Sequence, residues 1–137
     1  LRQTFANDPL NLLRIRWVEA KILAGRKRVV DAERVFGDVR AGLREHGLYY
    51  DAALAGVDLA LVRVKQGKDI WDLAWELYAE CRTQGIHPQA VQAFHALESL
   101  CRHKALTAPR VERLRGFLAR LQHDPGLTFD LELMVVG

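Results

Sequence analysis

The stretch that most constrains this chain is Tyr49–Gly67, YYDAALAGVDLALVRVKQG. Ala53, Leu54, Val57, Leu61 and Val64 recur at spacings of one, three, four and three, the period of a helix face. Leu59 and Ala60 widen that face until most of the circumference is apolar. A helix apolar nearly all round must be covered on several sides at once. The chain is therefore expected to wrap other helices around a central one.

The rest of the composition agrees. Of 137 residues half are hydrophobic and 27% are charged, which suits one globular domain with a real core. Four prolines and an abundance of Ala, Leu, Arg and Val favour helix over strand. No apolar run reaches the ~18 residues of a membrane span, and Thr4–Val18 holds no signal-peptide core. The first residue is Leu1 and not Met, so the chain is read as a fragment, a processed product or a chain shown without disordered ends. The net charge of +3 comes from arginines interleaved with Asp and Glu, the pattern of solvated helix faces. Cys81 and Cys101 show no CxxC spacing and read as reduced thiols in a cytoplasmic protein.

Taken in order, Asn7-Asp8-Pro9 is a helix-start signal. Leu12, Leu13, Ile15, Trp17, Val18, Ile22 and Leu23 are read as the apolar face of that helix, with Gly25 as its C-cap. After the basic turn Arg26-Lys27-Arg28, the residues Val29, Ala32, Val35, Phe36, Val39 and Leu43 mark a second amphipathic helix closing near His46-Gly47. Gly37 and Gly42 inside it either weaken it or admit a close neighbour. Beyond the central helix, Asp69 is read as the N-cap of a fourth helix carrying Ile70, Leu73, Ala74, Leu77, Tyr78 and Cys81. His87-Pro88 and Thr107-Ala108-Pro109 start a fifth and a sixth. The tail after His123-Asp124-Pro125-Gly126 is apolar and β-branched. It admits three readings: an extended or partly disordered segment, a strand, or a short helix.

An internal repeat organises these helices. Gly25 and Gly67 each precede an alanine by seven residues, Ala32 and Ala74, and Phe36/Tyr78, Val39/Cys81 and Arg40/Arg82 follow in step. The period is 42 residues, that of a helical solenoid. A small residue lets two helices cross closely, and a large one a turn later fills the space beside the crossing. Leu114, Leu118 and Leu121 fit the same places in a third unit.

In Leu59-Ala60, Gly67, Ala74 and Tyr78 the second unit resembles the tetratricopeptide repeat, with two extra residues between the glycine and the alanine. The longer runs YDAALAGVDLALVRVKQGK and HDPGLTF are similar to repeat tails of bacterial transcriptional regulators. The resemblance implies an all-α, right-handed superhelix of three antiparallel helix hairpins over residues 1–126, with residues 127–137 as an extended or partly disordered tail. It also implies an interaction scaffold whose first helices line a groove.

On that reading the partner-binding candidates are Arg14, Arg16, Glu19, Asp58, Arg63 and Lys65, first-helix polar residues not needed for the core. Arg16 and Asp58 share a repeat position, so they either pair across neighbouring helices or clamp a peptide's charged ends. Trp71 and Trp75, four apart, are either packing or a contact patch. The basic residues of the last helix, Arg110, Arg113 and Arg120, support the alternative, a nucleic-acid-associated regulatory domain. No GxSxG, HExxH, Walker A or GxGxxG motif occurs, and the stripe Asp72, Glu76, Glu80 reads as a solvated face. His95, Cys101 and His103 are too far apart around a helix for a zinc site. No enzyme activity, cofactor or metal is expected. The partners implied are a protein, a peptide or a second copy in a homodimer. Nucleic acid enters only weakly or through a domain outside this chain, and no membrane contact is expected.

Overall fold

A computed structural model describes residues 8–135, and among these the chain is helical with no strand. Six helices follow one another: α1 Pro9–Gly25, α2 Val29–Glu45, α3 Tyr49–Lys65, α4 Trp71–Thr83, α5 Pro88–Arg102 and α6 Ala108–His123. A single turn, α7 Glu132–Val135, closes the described chain.

The starts follow from local chemistry. Asp8 Oδ1 accepts from the Leu10 N–H at 3.1 Å, and Pro9 occupies a first-turn position that has no N–H to satisfy. His87 caps α5 in the same way, its Nδ1 accepting from the Gln89 N–H at 3.0 Å ahead of Pro88. Asp69 lies one residue further out than expected, since Ile70 holds the N-cap of α4. Its Oδ1 still takes the Trp71 N–H at 2.9 Å.

The helix ends share one device. In five successive turns an N–H five residues on returns to a carbonyl of the last helical turn. The pairs are Arg28 to Leu23, Leu48 to Leu43, Lys68 to Arg63, Ile86 to Cys81 and Ala105 to Leu100. Each turn needs one left-handed residue. Gly47, Gly67 and Gly85 supply three, and Lys27 and Lys104 are forced into the others at φ 62° and 56°. This corrects the sequence reading of the first turn. Gly25 is the last helical residue and Lys27 makes the reversal, so Gly67 corresponds in structure to Lys27 and not to Gly25.

Packing is built around α3. Every residue from Ala52 to Ala60 is buried, because α2, α4 and α6 all lie against this helix. Small residues set the spacing: a Cβ at Gly56 would stand 2.4 Å from a Leu77 methyl, and one at Gly42 would stand 2.5 Å from a Leu13 methyl. Gly37 meets nothing, so only the second of the two glycines in α2 admits a neighbour. Ala32 and Ala74 are fully buried, with Phe36, Val39 and Cys81 beside them. Burial pushes the Cys81 thiol up to about 12, so it acts as a small core hydrophobe.

Each helix packs against the next one along the chain. Helix α3 also packs against α6, so α3–α6 close into a four-helix ring. Helices α1 and α2 join that ring chiefly through α2 against α3. Polar bonds fasten α6 antiparallel to α3. The Tyr50 hydroxyl donates to the Leu118 carbonyl at 2.6 Å, Gln122 Nε2 to Asp51 at 2.8 Å, and Lys65 pairs with Glu112 at 3.5 Å. Glu33 ties α2 to the end of α3, accepting from Lys68 at 2.9 Å and from Arg63 and Gln66 at 3.0 Å each. The Lys68 ammonium and then the Gln66 amide hold its carboxyl down to about 2.

The described part of the tail combines an irregular segment with a single helical turn. Leu127–Asp130 runs without regular structure along α5 and α6, the Phe129 N–H donating to Gln89 Oε1 at 2.7 Å and its ring meeting Phe117 edge-on. Then α7 buries Met134 against the core. His87 Nε2 lies 2.7 Å from the Pro125 carbonyl. With Nδ1 occupied by its cap bond, Nε2 is the nitrogen that carries the hydrogen.

Candidate interaction surface

Four of the six predicted binding residues are engaged within the fold. Asp58 is buried and serves as a hub of three helices. Arg115 of α6 grips it through Nε at 2.8 Å and Nη2 at 3.3 Å, and Trp17 of α1 donates its indole N–H at 2.8 Å. The Arg115 guanidinium also lies 5.9 Å from the Trp17 ring centre. Arg16 does not pair with Asp58; it meets Asp38 of α2 at 3.3 Å. The shared repeat position failed because Lys27, not Gly25, matches Gly67. Asp58 therefore lies level with Val18, two residues past Arg16. Arg63 is held by Glu33 at 3.0 Å and Lys65 by Glu112. A charged groove built on these side chains would have to break their existing pairs.

Arg14 and Glu19 remain, both exposed on α1. Between them lies a feature the sequence reading misplaced. The seven large apolar residues from Leu12 to Leu23 do not form one face, because successive residues turn about 100°. Leu13, Trp17, Ala20, Leu23 and Ala24 turn inward against the core. Leu12, Ile15, Val18 and Ile22 turn outward, with 45, 47, 57 and 49% of their surface exposed. Their spacing of three, three and four makes a stripe along one side of the helix, about 15 Å long at 1.5 Å per residue. The signal was present in the sequence: so many large apolar residues in twelve positions fill two opposite faces.

Other surfaces are less organised. Trp71 and Trp75 are half exposed on α4, with Trp75 edge-on to Tyr78 at 5.9 Å. Beside Trp71 an open cleft of about 600 Å³ runs between the α3–α4 turn and the end of α5. Two of its cations already have partners, Lys68 with Glu33 and Arg102 with Glu98 at 3.7 Å. On α6, Arg115 is turned to Asp58 and Arg110 donates to the Ala105 carbonyl, so the basic face is interrupted.

For chemistry the geometry offers little. Among the described residues no group of three or more His, Cys, Asp or Glu side chains is placed to hold a metal. His95 stacks obliquely on Tyr78 at 5.3 Å, His103 Nδ1 lies 2.8 Å from the Ser99 carbonyl, and the Cys101 thiol faces Asp69. Burial and then the Asp69 carboxylate push that thiol up, away from nucleophilic use. Glu80 is paired with Arg44 at 2.6 Å, which removes one member of the Asp72, Glu76, Glu80 stripe. Among the described residues no helix is long and apolar enough to cross a membrane.

The surface that stands apart is therefore the outer face of α1. Comparison with protein-family models, curated proteins and solved structures finds no match for this chain.

Proposed function

We propose that this chain is a protein-interaction module, the helical-repeat portion of a larger bacterial regulatory protein, and that it docks a partner through the outer face of α1. The observation that carries this reading is the stripe Leu12, Ile15, Val18 and Ile22, four large aliphatics half exposed in a row. Large aliphatics scattered singly over a surface are ordinary, whereas a contiguous stripe marks a contact site. The tetratricopeptide-like order of small and large residues supports three hairpins stacked in a right-handed superhelix, each touching its neighbour. The two unreactive, unlinked thiols suit a cytoplasmic setting.

Site-specific photo-crosslinking in cells tests the reading, with the reactive group at Val18 and a control at Gln92, exposed on α5. A discrete protein adduct from Val18 and none from Gln92 is expected. Equal labelling at both, or none at Val18, overturns it.

The nucleic-acid alternative rests on α6. Its support is weakened by the inward engagement of Arg115 and Arg110. Nucleic-acid binding there would fall steeply with salt, and substitutions on α1 would leave it unchanged.

A further inference from the structure

The charge around the α1 stripe says what kind of partner fits it. The segment from Pro9 to Arg28 holds Arg14, Arg16, Lys21, Arg26, Lys27 and Arg28 against one carboxylate, Glu19. Its formal charge of +5 exceeds the +3 of the whole chain, so everything else sums to −2. Arg16 and Arg28 are paired with Asp38 and Asp31. Arg14, Lys21, Arg26 and Lys27 are exposed, and among the described residues none of them forms a salt bridge. Arg14 and Lys21 are seven residues apart and lie along the same edge of the stripe.

We propose that the occupant of the α1 face is an acidic amphipathic helix of another protein. Its apolar side covers Ile15, Val18 and Ile22, and its carboxylates face Arg14 and Lys21 along one edge and the Arg26-Lys27 turn at the end. The proposal rests on α1 being the docking surface and adds the chemistry of what docks. A helix of three to four turns matches the length of the stripe. A second copy of this chain is a poor occupant, since two segments of +5 would meet. An anionic membrane is also a poor one. Interfacial helices set aromatic rings toward the lipid, but Trp17, the one aromatic residue of α1, turns inward to Asp58.

The test is selection from a display library of amphipathic helices with a fixed Leu/Ile stripe. Flanking positions are randomised among Glu, Lys, Gln and Ser, and the target is the full chain. Glu is expected to enrich at the flanks, and a selected helix should bind about tenfold more tightly than its Lys twin. The Arg14→Glu/Lys21→Glu chain, checked for unchanged helicity, should invert that preference. Enrichment of Lys, or flanks without preference, overturns the acidic-partner proposal. So does a dimer in sedimentation that Ile22→Glu dissolves, or binding to phosphatidylglycerol vesicles that competes with the selected helices. Neutral-flanked helices that Ile22→Glu still releases would leave the docking surface standing. Selection indifferent to both Ile15→Glu and Ile22→Glu would remove the docking surface as well.

Discussion

Helices α1 and α3 are both 17 residues long, and both carry more apolar surface than one face can hold, α1 on two opposite faces and α3 nearly all round. Yet α3 is the most buried element of the molecule, and α1 leaves four large aliphatics half in water. The difference lies in their neighbours. Three helices surround α3, while α1 has α2 along one side and reaches α3 through the bond from Trp17 to Asp58. All-round apolarity states a demand for partners. Whether the chain itself meets that demand depends on where the element sits.

The comparison can be broken first at its junction. Replacing Asp58 by Ala strands Arg115 in a mostly buried position and leaves the Trp17 indole N–H without its acceptor. A loss of about 3 kcal/mol is expected in urea unfolding, because removing one partner of a buried pair is costly. Arg115→Met combined with Asp58→Ala should recover part of it, and a purely additive double variant would show that the hub carries no coupling.

A second test presses on the close contacts of α3. Gly56→Ala drives a methyl into Leu77 and the Arg40 side chain, and roughly 1–3 kcal/mol of destabilisation is expected from overpacking. Gly37→Ala, where nothing stands in the way, should instead stabilise by about 0.5–1 kcal/mol. Equal effects at the two glycines would contradict the packing described for α3.

A third concerns acid. The Glu33 carboxyl is held at about 2 in the folded chain against an ordinary 4.5, so its bonds to Lys68, Gln66 and Arg63 stabilise fully above pH 4.5. Their contribution is lost as pH falls from there through about 2. The Glu33→Gln chain should be less stable at neutral pH and show a flatter pH profile across that window. Identical profiles would mean that Glu33 does not tie α2 to α3.

Smaller still is the expected effect at Lys27, whose left-handed backbone favours glycine; Lys27→Gly should raise stability by up to about 1 kcal/mol. Smallest is Ile22→Glu. On a surface that none of the described residues covers, stability should shift by less than about 0.5 kcal/mol, even though the same change is expected to abolish docking. A loss as large as that of Asp58→Ala would place Ile22 in the core and undo the contrast between the two helices.

Much of the architecture was legible in the residues. The capping signals at Asp8-Pro9 and His87-Pro88, and the apolar faces of α2, α4 and α6, are local features whose meaning does not depend on distant contacts. The predicted site was not legible in the same way. Arg63 and Lys65 look like groove residues by their polarity, but Glu33 and Glu112 lie 30 and 47 residues away and claim them. Asp58 looked like a ligand clamp for the same reason. The repeat register drifted by two residues because a lysine can adopt the left-handed turn that glycine usually makes.

By itself, then, the sequence determined the six helices from Pro9 to His123, where most of them start and stop, and that the third must be covered on all sides. Those properties follow from periodicity, capping and turn chemistry acting over a few residues. The tertiary structure alone decided which charges are spoken for inside the fold and which apolar face is left over. Pairing and burial are set by elements far apart in the chain, and the same leucine or aspartate is core, hub or surface according to what lies opposite it.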